Sequence, residues 1–150
     1  MLQVGDHLPS FEELNQDGKT IKSTDFLGKK LVIFFYPQAG TPTCTVEACN
    51  IRDHYDALVK EGYQILGISG DGVQKQKKFH AKHHFPYPLL ADENHVIIEN
   101  FGIWREKKNF GKTYMGTVRT TFIFNEEGIC TRVIEKVTSK TAAEQILEQI

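Results

Sequence analysis

One continuous apolar run, LVIFFY at residues 31–36, and a second largely apolar run, YQILGIS at residues 63–69, limit the folds that this chain can adopt. Strands that are buried on both faces have unbroken runs of β-branched and aromatic residues, whereas strands with one solvated face alternate between apolar and polar residues. Between the two runs, residues 42–61 are predicted to be helical, and Gly62 is expected to end this helix. A buried strand, a helix and a second buried strand predict a parallel pair at the centre of an α/β sheet.

The remaining segments extend this pair into a mixed sheet. Hairpins are predicted at residues 11–22 and 119–137, and helices at residues 73–84, at residues 94–101 and from Thr141 to the end. The last helix is expected to open with a capping box, Thr141 with Glu144, and to bury Ile150. The order predicts a thioredoxin-like fold, a mixed central sheet flanked by helices with an N-terminal hairpin extension. Because no repeat or linker interrupts the sequence, we expect a single domain over residues 1–150.

Composition argues against several classes of function. The formal net charge is -1 with acids and bases interleaved, so neither nucleic acid nor a membrane surface is expected as a partner. The longest apolar run is too short to span a membrane, and residues 1–13 lack the pattern of a signal peptide. Three cysteines make a poor disulfide framework. We therefore expect a cytoplasmic setting, in which a cysteine pair tends to be catalytic or metal-binding.

Two of the three cysteines follow the first buried strand, in the segment TPTCTVEAC at residues 41–49. Ligand chemistry in α/β sheets is found at the carboxyl ends of the strands, which is where this segment lies. If Thr41 is the N-cap of the helix, Pro42 is at N1 and Cys44 is at N3. Free backbone amides and the positive end of the helix dipole favour thiolate over thiol there. Cys44 is therefore a candidate nucleophile.

The spacing of the pair bears on the role of the second thiol. In an intact helix, Cys44 and Cys49 are separated by about 7.5 Å along the axis and about 140° around it. Their Cα atoms then exceed the separation of about 7 Å that a disulfide tolerates, so the bond requires the first turns to unwind. Such a pair suits a redox switch better than a structural staple.

Two other interpretations of the pair remain open. Both thiols could be small core hydrophobes, because free cysteines are often buried. A zinc site is disfavoured, because no further ligands lie at short spacing. His80, His83 and His84 could hold a metal, but on a lysine-rich helix they are more typical of a solvated face.

The motif PQAGTPTC at residues 37–44 fits Pro-x-x-x-Thr-x-x-Cys, and a Cys-x₄-Cys pair lies within TPTCTVEACNIRD at residues 41–53. With FGIWREKKNFGKTYMGTVRTTFIFNEEG at residues 101–128, the chain resembles the peroxiredoxins, in particular the PrxQ or bacterioferritin-comigratory-protein branch. The resemblance covers almost the whole chain. One departure is Thr43, where this branch commonly has Gly, which could alter peroxide access or helix stability. Such enzymes are thiol peroxidases that use no metal, haem or flavin.

The resemblance implies a role for each residue that matches the motif. Cys44 would attack hydrogen peroxide or an organic hydroperoxide and become a sulfenic acid, Cys49 would resolve it as an intramolecular disulfide, and thioredoxin would reduce the disulfide. Thr41 would bond the sulfur and the peroxide, and Pro37 would shield the site from water. Arg119 would hold the thiolate and the departing oxygen, although the residues alone also allow a surface ion pair.

Some features stay open at this point. Cys130 has no implied role and is expected to be a bystander, and the chain could be a monomer or a weak homodimer. Two alternatives to a peroxidase are a non-enzymatic redox sensor or holdase and a general thiol–disulfide oxidoreductase on the same fold. Oxidoreductases of that kind use CxxC rather than a five-residue spacing. Peroxide turnover with catalytic reductant would distinguish a peroxidase from both alternatives.

Overall fold

The computed structural model describes residues 1–150 and has a five-stranded sheet at its centre. The strands are β1 Glu12–Leu14, β2 Thr20–Lys22, β3 Lys30–Phe35, β4 Tyr63–Ser69, β5 Leu89–Ala91, β6 Trp104–Asn109, β7 Lys112–Thr117, β8 Thr120–Phe124 and β9 Cys130–Ile134. The helices are α1 Pro42–Asp53, α2 Tyr55–Lys60, α3 Val73–His83, α4 Val96–Asn100 and α5 Ala142–Gln149. None of them combines the length and the apolar character that a membrane span requires.

The strand order in the central sheet is β5-β4-β3-β8-β9. β3, β4 and β5 run parallel, while β8 runs antiparallel to β3 and β9 antiparallel to β8. The predicted parallel centre with an antiparallel hairpin at one edge is therefore confirmed. β1 and β2 form the predicted N-terminal hairpin as a separate two-stranded sheet.

The apolar run of β3 is continuous because both of its faces are covered. Val32, Phe34 and Tyr36 belong to one apolar core, which helices α1, α2, α3 and α5 complete. The alternate residues Leu31, Ile33 and Phe35 belong to a second core on the other face, with α4. Each large apolar side chain buried in this way contributes about 1.5–3 kcal/mol.

The helix predicted for residues 42–61 is divided at His54 into α1 and α2. His54 adopts φ -107° and ψ 12°, outside the helical region. Its ring Nδ1 lies 2.9 Å from the Asn50 carbonyl oxygen, so the side chain competes with the main-chain ladder at this point. The division leaves α1 continuous across both cysteines.

Two predictions about α5 were wrong. Thr141 is at the N-cap position but makes no side-chain capping bond. Glu144 does not close a capping box, because its Oε1 accepts a hydrogen bond from Asn50 Nδ2 at 3.1 Å instead. Ile150, which was expected to be buried, is exposed at the end of the chain, where no element covers it.

The hairpin of β6 and β7 was not predicted from the sequence. Its two strands pair only with each other, and Phe110 and Gly111 at the tip have φ of 51° and 76°. Two successive positive φ values are typical of the tight turns that match the twist of a hairpin. The hairpin projects from the carboxyl edge of the sheet, between α4 and β8.

Candidate active site

Cys44 lies at the start of α1, directly after the loop of residues 37–41 that leaves β3. Thr41 has the extended backbone of an N-cap, with φ -74° and ψ 153°, and Pro42 is the first helical residue. Cys44 is therefore at N3, as predicted, and its exposed fraction is 2%. The helix begins here because Pro42 needs no hydrogen-bond acceptor for a main-chain N–H at this position.

Arg119 reaches Cys44 because of the antiparallel pairing of β3 with β8. Phe35 faces Thr120 in this register, so Arg119 lies at the same sheet edge as the loop after β3. Its Nη2 donates a hydrogen bond to the Cys44 Sγ at 3.4 Å. The sequence thus identified two side chains that meet, although 75 residues separate them.

Glu47 is a member of this cluster that sequence reasoning missed. Its side chain is fully buried, and its Oε1 accepts a hydrogen bond of 2.5 Å from Arg119 Nη1. Burial raises the pKa of Glu47 to about 7, against the lowering effect of the Arg119 charge and hydrogen bond. The second carboxylate oxygen, Oε2, has no hydrogen-bond partner. A signal was present, since Glu47 is one helical turn after Cys44 on the same face.

The charge of Arg119 is maintained by its two partners. Burial acts to lower the pKa of Arg119, but the negative charges of Glu47 and Cys44 outweigh it and the pKa is raised. The guanidinium thus bridges a carboxylate and a sulfur, and only 18% of its side chain is exposed. The alternative interpretation of Arg119 as a surface ion pair does not fit these contacts.

Thr41 and Pro37 both precede Cys44, Thr41 at the N-cap of α1 and Pro37 in the loop after β3. The Thr41 hydroxyl donates to the Gln38 carbonyl at 2.9 Å, so it neither caps α1 nor bonds the Cys44 sulfur in this state. Pro37 is half-buried at the edge of a cleft of about 320 Å³. The opposite wall of the cleft is the β6–β7 hairpin, through Trp104, Lys107, Tyr114 and Met115 among others.

The other two thiols have different surroundings. Cys49 is free, partly exposed and on the same unbroken helix as Cys44. Burial raises the pKa of Cys49, while Arg52 acts to lower it, so Cys49 is a thiol near neutral pH. Cys130 is buried in the core on the opposite face of the sheet, which separates it from Cys44.

The three histidines near the end of α3 do not converge. His80 Nε2 lies 3.1 Å from the Tyr87 carbonyl oxygen, and His83 stacks on the ring of Phe85 with 5.5 Å between centroids. His84 ends the helix in the left-handed conformation. The chain holds no group of three or more His, Cys, Asp or Glu side chains arranged to bind a metal.

Comparison with known proteins identifies the family. Residues 4–133 match the AhpC/TSA family. The chain belongs to that family. It is similar to the peroxiredoxin Bcp of Bacillus subtilis (strain 168), with 38% identity over 149 residues that cover 99% of this chain and 95% of the relative.

Solved structures of related peroxiredoxins agree with this assignment. Peroxidoxin BcpB of Mycobacterium tuberculosis superposes with a TM-score of 0.87 at 33% identity, covering 99% of this chain and 96% of that chain. The bacterioferritin comigratory protein of Xanthomonas campestris gives a TM-score of 0.87 at 29% identity, covering 95% of this chain and 96% of that chain. The predicted thioredoxin-like fold and the predicted family branch are confirmed.

This AhpC/TSA member is therefore a peroxiredoxin of the Bcp/PrxQ branch, an enzyme that reduces peroxides with electrons from a thiol reductant. The predicted thiol peroxidase activity is confirmed at this level. The geometry supplies what that chemistry requires, which is a sulfur nucleophile beside a fixed cation.

Proposed function

We propose that Cys44 is the nucleophile of this peroxidase. The observation that carries the assignment is the Arg119 Nη2 contact with a buried sulfur at N3 of α1. The Cys44 thiolate attacks the terminal oxygen of a hydroperoxide, a sulfur–oxygen bond forms, and the oxygen–oxygen bond breaks. Cys44 becomes a sulfenic acid, and the other oxygen leaves as water or an alcohol after it takes a proton from solvent.

Arg119 acts on both charges of this step. Its guanidinium faces the thiolate before attack, and it can donate to the oxygen that becomes negative as the peroxide bond breaks. Glu47 holds the guanidinium through the other nitrogen, Nη1, which leaves Nη2 directed at the sulfur. Glu47 is thus a positioning residue that acts through Arg119.

Thr41 and Pro37 complete the peroxide site. Thr41 is the N-cap of α1, and we expect its hydroxyl to exchange the Gln38 carbonyl for the peroxide when substrate is bound. Pro37 has no main-chain N–H, so it covers the sulfur without introducing a donor that would bind water. The cleft beyond Pro37 offers room for the organic part of a hydroperoxide.

Cys49 resolves the sulfenic acid in this proposal. The Cys49 thiol loses its proton to solvent and attacks the Cys44 sulfur, the sulfur–oxygen bond breaks as the disulfide forms, and the hydroxyl takes up a proton and leaves as water. Because α1 is continuous across both residues, the first turns must unwind for the sulfurs to meet. This costs several helix hydrogen bonds of about 0.5–1.5 kcal/mol each, which formation of the covalent bond offsets. A dithiol then reduces the disulfide and becomes a disulfide itself.

The substrates and setting follow from the same site. We propose hydrogen peroxide and organic hydroperoxides as oxidants, which the alkyl peroxide reduction activity studied for the Xanthomonas campestris relative supports. Thioredoxin is the proposed dithiol, because its reaction requires access to one sulfur and an unwound α1 provides it. We further propose a cytoplasmic enzyme of one domain, as a monomer or weak homodimer.

Peroxide consumption by Cys44→Ser tests the nucleophile assignment. We expect no hydrogen peroxide reduction above background, because no other thiol lies at a helix N-terminus beside a cation. Cys130→Ser is the matched control, and it should turn over as the wild type does. Appreciable turnover by Cys44→Ser would overturn the assignment.

A further inference from the structure

A chain of buried polar side chains crosses the carboxyl edge of the sheet next to the active-site loop. Tyr36 Oη donates to Gln76 Oε1 at 2.7 Å, and Gln76 Nε2 donates to Ser69 Oγ at 2.9 Å and to the Leu90 carbonyl at 2.8 Å. Ser69 Oγ in turn donates to Asp71 Oδ2 at 2.7 Å. Tyr36, Ser69 and Gln76 are fully buried, and the hydrogen bonds from Tyr36 through Gln76 and Ser69 lead to Asp71.

Asp71 connects this network to the loop of residues 37–41 that precedes α1. The main-chain N–H of Ala39, which is itself buried, donates to the same Asp71 Oδ2 at 2.6 Å. The other oxygen, Oδ1, lies 3.2 Å from Lys75 Nζ. Hydrogen bonds to an ionised carboxylate are about twice as strong as neutral ones, so this is a firm anchor.

The anchored residue lies in the middle of the catalytic loop. Pro37 and Thr41 are each two residues from Ala39, and Cys44 follows within the first turn of α1. The other side-chain bonds of this loop, from Thr41 to the Gln38 carbonyl and from Thr45 to the Thr41 carbonyl, stay within the loop and α1 and do not tie it to the sheet. A misplacement of about 1 Å can cost roughly 10²-fold in rate, so an anchor at this point matters for the reaction.

We propose that Asp71 is a positioning residue for peroxide reduction. It fixes Ala39 to the buried network at the ends of β3 and β4, and thereby sets where Pro37, Thr41 and Cys44 meet the peroxide. Asp71 does not touch the reacting atoms and acts through the loop. This inference rests on the proposed role of Cys44 as the nucleophile.

The test is the single-turnover rate constant for oxidation of Cys44 by hydrogen peroxide, measured by rapid quench, thiol alkylation and mass spectrometry. Asp71→Ala should be slower by roughly 10²-fold, because the loop loses its anchor. Asp71→Asn should stay within about threefold of the wild type, because one amide oxygen can accept both hydrogen bonds. Lys75→Gln, which removes only the ion pair, should oxidise at the wild-type rate.

A second pair of variants separates positioning from general stability. Tyr36→Phe leaves Gln76 Oε1 buried without its donor, so it should lower the free energy of unfolding yet keep the Ala39–Asp71 bond and the oxidation rate. Asp71→Glu keeps the charge but displaces the carboxylate by one methylene, so it should be slow, and it replaces Asp71→Ala if that variant does not fold. Wild-type oxidation by both Asp71→Glu and Asp71→Ala, or a rate loss in Tyr36→Phe that matches theirs, would overturn the proposal.

Cys44→Ser, measured in parallel, keeps the two inferences apart. If it still reduces peroxide, the nucleophile assignment fails. If it is inactive and the Asp71 variants oxidise as fast as the wild type, only the positioning role of Asp71 fails.

Discussion

The two halves of α1 each carry one of the proposed redox cysteines, but different kinds of interaction hold them. The half around Cys44 is held by charge, through Arg119 and the buried carboxylate of Glu47. The half around Cys49 is held by hydrogen bonds to other elements that involve no sulfur, one of them from Arg52 Nη1 to the His83 carbonyl at 2.9 Å. Tyr87 Oη donates to the Ala48 carbonyl at 2.6 Å, and the Asn50 side chain accepts from Ala143 N at 2.7 Å.

This difference indicates which cysteine moves. Oxidation of Cys44 from thiolate to sulfenic acid removes the negative charge that faces Arg119, so it weakens the hold on the first half. The contacts of Ala48 and Asn50 involve no sulfur, so we expect them to persist when Cys44 is oxidised. We therefore expect Cys44 to approach a nearly stationary Cys49 as the first turns unwind.

The largest expected effect comes from removing the thiol of the second half. Cys49→Ser should still consume about one equivalent of peroxide per chain in a single turnover, since Cys44 and Arg119 are untouched. Thioredoxin-supported cycling should stop, and overoxidation of Cys44 should increase. Stopped-flow kinetics measure peroxide consumption and cycling, and intact-mass analysis measures overoxidation of Cys44. Undiminished cycling would mean that Cys130 or a second chain resolves the sulfenic acid, and Cys49→Ser/Cys130→Ser would distinguish these.

Arginine variants compare the two halves directly. Arg119→Ala should slow Cys44 oxidation by roughly 10²–10³-fold, because it removes a preorganised donor to the developing charge. Arg52→Ala is the matched control in the second half. Arg52 pairs with Asp53 at 2.9 Å and donates to the His83 carbonyl at 2.9 Å, and neither contact involves Cys44, so its loss should leave the oxidation rate within about twofold. Equal effects of the two variants would contradict a charge-held first half.

The features that could be predicted from the sequence are those encoded by local pattern. The buried runs predicted β3 and β4 because a strand covered on both faces is apolar along most of its length. Thr41 followed by Pro42 predicted where α1 begins, and hence the position of Cys44. Arg119 was found by its resemblance to a family motif, and not by any local rule.

The features that were missed depend on partners distant in sequence. A glutamate on a helix is normally solvated, and Glu47 is buried only because Arg119 from β8 pairs with it. Glu144 was assigned to a local capping box, but Asn50 from α1 binds it. The β6–β7 hairpin was missed because most of its side chains are exposed, which leaves its strands without the apolar alternation that identifies a strand.

The pH dependence of the free energy of unfolding should reflect Glu47, in the half of α1 around Cys44. The pKa of Glu47 rises from an ordinary 4.5 to about 7 in the folded chain because the side chain is buried. Between these values the folded chain binds more protons than the unfolded chain, so the free energy of unfolding should fall as pH rises through this window. At about 1.4 kcal/mol per tenfold change in proton affinity, the fall is at most about 3 kcal/mol.

Glu47→Gln isolates this contribution. Denaturant unfolding between pH 4.5 and 7.5 should show a smaller decline in the variant than in the wild type, because glutamine does not titrate. Glu126→Gln, at an exposed position, should retain the wild-type slope. If Glu47→Gln declines as steeply as the wild type, the buried carboxylate is already ionised at pH 4.5.

The smallest expected effect concerns the contacts of the Asn50 side chain in the second half of α1. Asn50→Ala removes the acceptor of Ala143 N and the donor to Lys140 O, so it should lower the free energy of unfolding by about 0.5–2 kcal/mol, as loss of a helix cap does. Asn50→Asp keeps the acceptor but places a carboxylate oxygen against Glu144 Oε1 and the Lys140 carbonyl, so it should lose at least as much. Neither variant should slow oxidation of Cys44, because Asn50 touches nothing in the first half.

Amide exchange in the oxidised form then shows where unwinding stops. In the wild-type disulfide form, protection should be lost at residues 42–48 and retained beyond Asn50, where the contacts with α5 persist. In Asn50→Ala the loss should extend toward Asp53, because the Asn50 contacts with residues 140–144 are gone and only those of Tyr87 with Ala48 and of Arg52 with His83 remain. Equal protection of residues 42–48 in reduced and oxidised protein would show that the helix accommodates the disulfide. A loss that reaches Asp53 in the wild type would instead show that Asn50 does not limit the motion, and that both cysteines move.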